Sequence, residues 1–294
     1  TQFATYGEIK KLTNVVREHG AIWQATPPKD SMINTIKTFL LTSGRLHKKP
    51  LKTTVVAALD VANNWRIIRL AKLLAKILNS SLIQGNFHLQ ALGAPFKVWA
   101  DGAITPLSEE IPELRKLNET NLEDRAARLS ILNDPDYIKT FRNMWLKGKQ
   151  GWGLARLKRI LNMEDYAFNR TLSDMVVEGC PIKPWQGMSM DALLQRILGI
   201  KTNMDPDDIQ PEEKGIVMRD FFWIRDEADF MLQILRTFDT DLSWSTVTAN
   251  RNDKTTRELL MNPLLMPGFN DCGAHLTNMA FYDVNLRSLK LASS

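Results

Sequence analysis

An α/β fold built on parallel strands is what this sequence predicts, and three observations predict it. Short apolar runs rich in β-branched residues alternate with amphipathic helical stretches through residue 89. The connections between them are a few residues long, which suits strand–helix–strand crossovers. With 294 residues, 44% hydrophobic and 24% charged, the chain has an ordinary globular composition and enough length to bury a sizeable core.

The elements follow in order. "TYGEIKKLTNVV" opens a helix, because Thr5 and Glu8 are spaced as a capping box and Ile9, Leu12, Val15 and Val16 form an apolar stripe. Gly20 stops it, and "AIWQAT" (21–26) reads as a short buried strand. Ser31 begins a second helix that runs to about Gly44, and "KTTVVAALDV" (52–61) is a second strand. "WRIIRLAKLLAKILNSS" (65–81) is the clearest helix, with Arg66, Arg69, Lys72 and Lys76 on one face. Such a helix can lie on a membrane, but more commonly it packs on a sheet with its charges in water. "LIQGNFHL" (82–89) is the third strand, with His88 at its end.

From residue 93 the rhythm breaks. "LGAPFKVWADGAITPLSEEIPEL" is rich in loop residues, and "LEDRAARLSILNDPDYIKTFRNMWLKG" reads as two helices divided at Pro135. Residues of about 93–188 are therefore expected to form a helical insertion rather than a separate domain. Further helices are expected at 189–198 and 224–238, strands at 241–250 and 263–271, and a closing helix at 283–292.

The bulk numbers exclude several function classes. Lysine and arginine number 38 against 33 acids, a net charge of +5, so no large positive field favours nucleic acid. No apolar run approaches the ~20 residues of a membrane span, and no signal peptide is visible. The two cysteines, Cys180 and Cys272, suit a reducing, cytoplasmic setting. The chain begins on Thr1, one step before a helix, as a piece starting within a domain does.

"LLMPGFNDCGAHLTNMAFYD" (264–283) carries the most chemistry. In parallel α/β folds functional groups collect at the carboxyl ends of strands, and Asp271 stands there between Gly268 and Gly273. A carboxylate in that place can hold a metal or take a proton from an attacking water. His275 can bind metal, orient the acid or donate to a substrate oxygen. The alternative is a turn-capping Asp271 beside a packed histidine. His88 is a second candidate ligand or substrate contact, set against a satisfied structural histidine. Trp185 and Trp244 stand among Gly, Pro and polar residues as pocket-lining aromatics do, although large rings are more often core. Cys272 has no adjoining base to activate it. Asp226, Glu227 and Asp229 read as a solvated helix face.

"NPLLMPGFNDCGAHLTNMAFYD", with "WSTVTANR" (244–251) and "PWQGMSMDALLQRIL" (184–198), resembles the C-terminal half of the amidohydrolase superfamily, in particular the N-acyl-D-amino-acid deacylases (D-aminoacylase-like). The likeness extends over nearly the whole chain and is strongest from about residue 184. It implies a (β/α)8 TIM barrel of which strands 5 to 8 are present across residues 1–294. It further implies a hydrolase of non-peptide carbon–nitrogen bonds, with Asp271 as general base and ligand to zinc or another divalent metal. The substrate would be a small N-acyl amino acid or related amide, with His275, His88, Trp185 and Trp244 as contacts, and neither nucleic acid nor membrane as partner. The chain alone is expected to be inactive. His19, His47, His88 and His275 include no counterpart of the family's first-strand His-x-His motif, which would lie with strands 1 to 4 outside this sequence. The stretches after the first two strands here, where the ligands of strands 5 and 6 are expected, carry no histidine. The metal is left in doubt, and a non-catalytic barrel relative that binds a small molecule or partner is the alternative.

Overall fold

The computed structural model describes residues 4–25, 32–47, 49–58, 65–105, 108, 112–147, 171–202, 209–268 and 282–293. Helix α1 (Tyr6–Glu18) starts at the expected capping box. The Thr5 hydroxyl accepts from the Glu8 amide at 3.3 Å, and the Glu8 carboxylate accepts from the Thr5 amide at 2.7 Å. Strand β1 (Trp23–Ala25), helices α2 (Met32–Leu40) and α3 (Gly44–His47), strand β2 (Lys52–Ala58), helix α4 (Trp65–Leu78) and strand β3 (Asn86–Ala91) follow. β3 begins four residues later than the sequence pattern implies. Gln84 adopts φ 56°, and the Gly85 amide caps the Leu78 carbonyl, so residues 82–85 complete the end of α4 instead of extending. His88 consequently sits in the middle of β3 and not at its carboxyl end.

These strands and β7 (Leu265–Pro267) form one parallel sheet in the order β1-β2-β3-β7. The fold is thus mixed α/β with a parallel sheet. Its apolar face carries Trp23, Ala25, Val55, Phe87, Leu89, Ala91 and Leu265, all buried. Covering it are Ile9 of α1, Phe39 of α2, Ala75 and Leu78 of α4, and Leu259 and Leu260 of helix α11 (Asp253–Leu260). Phe39 meets Phe87 edge-on with centroids 4.8 Å apart. Each such ring taken from water contributes about 1.5–3 kcal/mol.

Between β3 and β7 the chain builds a second region. Strand β4 (Phe96–Asp101), helices α5 (Pro112–Asn118), α6 (Arg125–Asn133) and α7 (Pro135–Lys147), and strand β5 (Met175–Gly179) come first. Helix α8 (Met190–Lys201) is capped by the Ser189 hydroxyl. Helix α9 (Pro211–Ile216) runs into a π-turn at Val217–Phe221. Helix α10 (Glu227–Phe238), strand β6 (Ser243–Ala249) and, after β7, helix α12 (Val284–Ser293) complete the described chain. The 93–188 stretch contains the expected helices split at Pro135, and it also contributes β4 and β5, which flank β6 in an antiparallel sheet. The alternating Val98, Ala100, Met175, Val177 and Trp244 give that sheet a buried face against α7, α8 and α10, and Gly93, Pro95 and Gly102 had masked the pattern.

Charged groups hold this second core together. Arg128, 1% exposed, donates Nε and Nη2 to the Asp239 carboxylate, each at 2.7 Å, and its other N–H groups reach the Asn121 and Leu122 carbonyls. Asp239 holds φ 48°, and Gly102, at φ 57°, packs so tightly on its carbonyl that any Cβ there would collide. The acids at the start of α10 are not a solvated face. Asp226 caps the helix and pairs with Arg142 at 2.7 Å, while Asp229, 1% exposed, pairs with both Arg142 and Arg225. Packing of α7 across α10 brings Arg142 over those carboxylates, a contact 84 residues apart in sequence that no local pattern announces. Among the described residues no helix is long and apolar enough to cross a membrane.

Candidate functional site

β3 reads Asn86-Phe87-His88-Leu89-Gln90-Ala91, a strict alternation that sends polar and apolar side chains to opposite faces. Register extends this across the sheet. Gln24 of β1 aligns with Thr54 of β2, which aligns with His88, while Gln90 aligns with Met266 of β7. Opposite the helix-covered face there is therefore a polar face of Gln24, Thr54, Asn86, His88 and Gln90. Gln24 is exposed, Asn86, His88 and Gln90 are half-buried, and Thr54 is buried. The His88 Nε2 lies 2.9 Å from the Asn86 Oδ1, a contact that suits the tautomer whose Nε2–H donates to that oxygen and whose Nδ1 is the acceptor. The Gln24 amide donates to the Gln90 Oε1 at 3.2 Å.

The carboxyl end of this sheet is tied to the second region. The side-chain amide of Asn250, wholly buried and at φ 58°, donates to the Leu92 and Ala94 carbonyls at 2.9 and 3.1 Å, fixing the exit of β3. The Gly268 amide donates to the Ala91 carbonyl at 3.2 Å, so the chain leaves β7 beside the end of β3. Asp271 and His275 lie outside the described residues.

The tryptophans fall elsewhere. Trp185 is fully enclosed, edge-on to Phe221 and Phe238 with centroids 5.8 and 5.6 Å away. Its indole N–H donates to the Glu213 Oε1 at 2.7 Å. Trp244 is buried and donates to the Gly102 carbonyl at 2.8 Å. Both belong to the core of the second region, away from the strand that carries His88. Burial alone would raise the Glu213 carboxyl, but hydrogen bonds from Arg196 and Trp185 outweigh it and hold the carboxyl below its ordinary value.

One constellation escaped the sequence pattern. On the antiparallel sheet, Lys97 of β4 and Ser245 of β6 both donate to the Glu178 Oε1 of β5, at 2.8 and 2.5 Å. The Lys97 and Ser245 bonds hold Glu178 below the ordinary carboxylate range. Three residues more than 140 positions apart at the extremes meet here, and only the strand pairing could reveal them. The group is an ion pair with a hydroxyl donor, and a lysine-neutralised carboxylate is a weak base. Among the described residues no three His, Cys, Asp or Glu side chains converge as a metal would need.

The chain is similar to long proteins of Mycobacterium bovis and Mycobacterium tuberculosis, themselves named only as uncharacterized. It is 27% identical to them over 292 residues, covering 99% of this chain and 41% of theirs. The chain therefore spans about two fifths of the length of these curated relatives. No family model matches it, and no solved structure matches it.

Proposed function

We propose that this chain is the second half of a (β/α)8 amidohydrolase-like barrel. In the full-length protein its role would be hydrolysis of non-peptide amide bonds, N-acyl amino acids foremost. The winding of the sheet carries the reading. Successive strands β1, β2, β3 and β7 are all parallel and are each added on the same side of the last. The intervening helices share the face that carries Trp23, Phe87 and Leu265. A doubly wound sheet reverses its order at a switch point and needs helices on both faces. A parallel sheet whose order never reverses and whose described helices lie on one side fits the wall of a barrel. Relatives of much greater length leave room for the remaining strands.

On this reading water attacks the amide carbonyl, Asp271 takes its proton, and His275 and His88 contact the substrate. Among the described residues no three side chains form a zinc set, and Asp271 would be the ligand this chain offers to a divalent metal, which would polarise the attacking water. The test is Asp271→Asn in the full-length protein, which keeps shape and removes basicity. Hydrolysis of N-acyl-D-amino acids should fall by ~10²–10⁴-fold with the melting temperature unchanged. A near-wild-type rate refutes the assignment.

A non-catalytic barrel that binds a small molecule is the second reading, favoured by the lack of a histidine just after either of the first two strands, where the family's ligands of strands 5 and 6 would stand. Elemental analysis of the purified full-length protein separates the two, since a stoichiometric divalent metal belongs to the enzyme.

A further inference from the structure

Parallel sheets are ordinarily covered on both faces and their strands read as continuous apolar runs. This sheet breaks that rule in one direction only. Its helix-covered face is apolar but for Thr53, whose hydroxyl donates to the Leu51 carbonyl at 3.0 Å. The opposite face holds two glutamines, an asparagine, a threonine and a histidine, with Met266 aligned on Gln90. A face meant to pack against more protein would be apolar, because each buried amide without a partner costs about 1–3 kcal/mol. A face that lines a solvent- or ligand-filled cavity has no such constraint.

The side chains on it are organised across strands. Gln24 and Gln90 belong to β1 and β3, two strand spacings or about 9.5 Å apart, and their carboxamides meet over β2 at 3.2 Å. The contact is a bridge spanning the middle strand. Below it the Asn86 Oδ1 lies 2.9 Å from the His88 Nε2, which suits the tautomer protonated at Nε2. The bridge uses one N–H of Gln24 and one lone pair of Gln90, and each carboxamide has capacity for further donation and acceptance by its valence. From Thr54 to the carboxyl ends the described residues of this face bear no formal charge; Lys52 stands at the amino end, aligned with Asn86. Phosphates and carboxylates are recognised by cations or clustered N–H donors. Paired carboxamides beside an acceptor imidazole nitrogen instead complement a group that both donates and accepts in one plane.

We infer that this polar face is a binding surface for the uncharged amide portion of a small ligand. The Gln24–Gln90 pair would hold the amide, and the Nδ1 of His88 would accept from its N–H. The inference deepens the amide-hydrolase reading and rests on it for the substrate class, but concerns binding rather than the proton transfer assigned to Asp271.

The test is NMR on the full-length protein with isotope-labelled histidine, the His88 ring signal being assigned by its loss in His88→Gln. Titration with N-acetylglycinamide should shift that signal saturably, whereas acetate and inorganic phosphate should not. Gln24→Leu, at an exposed position that leaves the fold intact, and Gln90→Leu should each weaken the response about three- to tenfold. No shift of His88 by the amide, an equal shift by phosphate, or an undiminished response in both glutamine variants overturns the inference. The two readings fail separately. Retained hydrolysis in Asp271→Asn leaves this titration unaffected, and a silent titration with intact Asp271-dependent hydrolysis removes the binding surface alone.

Discussion

The two sheets handle polar side chains in opposite ways. In the antiparallel region charged and polar groups are drawn inward and paired: Arg128 with Asp239, Glu213 with Arg196 and Trp185, Asp229 with Arg142 and Arg225. On the parallel sheet, among the described residues, Gln24 and Gln90, and Asn86 and His88, share one face and hydrogen-bond in pairs across or along the strands. Enclosed ion pairs specify a packing, since either partner left alone in a core is costly. An open row of amides adds little stability and keeps hydrogen-bonding capacity for something else. On the proposed reading the second region is the scaffold and the first offers the binding surface.

The largest effect should come from Trp185→Ala, which removes a fully enclosed ring and strands the Glu213–Arg196 pair in the cavity. Loss of about 3–5 kcal/mol is expected, read as a lower denaturant midpoint. Hydrogen exchange sharpens the comparison: amides of Met175–Gly179 and Ser243–Ala249 should lose protection while Asn86–Ala91 keeps it. Equal loss in β3 would make the molecule a single cooperative unit.

Next comes Arg128→Ala, which leaves Asp239 buried and unpaired and should cost about 3–5 kcal/mol. Asp239→Asn in the same background should recover part of it, because the uncompensated charge is gone. No recovery would mean that Arg128 acts through packing alone.

Acid should loosen the second region in a defined window. Burial works to raise Glu213 and Asp226, but hydrogen bonds from Arg196 and Trp185, and from Arg142, outweigh it and hold both below the ordinary carboxylate range. A depressed carboxylate stabilises the fold fully above its unfolded pKa and loses that contribution as pH falls through the folded one. Near-ultraviolet circular dichroism should therefore stay flat down to about pH 4 and decline below it. A decline centred near pH 6 would point to histidine instead.

The smallest effect belongs to Lys97→Ala. Lys97 and Glu178 are 37% and 35% exposed, and a solvent-screened pair of this kind contributes under about 1 kcal/mol. A melting temperature unchanged within a degree or two is expected; a large drop would give the Lys97–Glu178 pair a structural weight that its exposure does not suggest.

Much of this was legible in the chain itself. Thr5 with Glu8, the cap at Ser189, the break at Pro135 and the β-branched run at 52–58 are local signals. Each depends on neighbours within four residues, and the elements form where those signals stand. Parallel pairing followed from the strand–helix rhythm. Other features depend on residues far apart. Gly102 and Trp244 meet across 142 positions, and Lys97 and Glu178 across 81. Asp226 and Asp229 look like solvated acids until α7 brings Arg142 to them. His88 looks like a strand end until the turn at Gln84 moves the strand along. By itself the sequence determined where the capped helices start and that strands alternate with helices through β3, because capping and hydrophobic periodicity are short-range physics. Only the tertiary structure decided which acids are buried and which polar face stays open, because those outcomes depend on which distant segment comes to lie against each side chain.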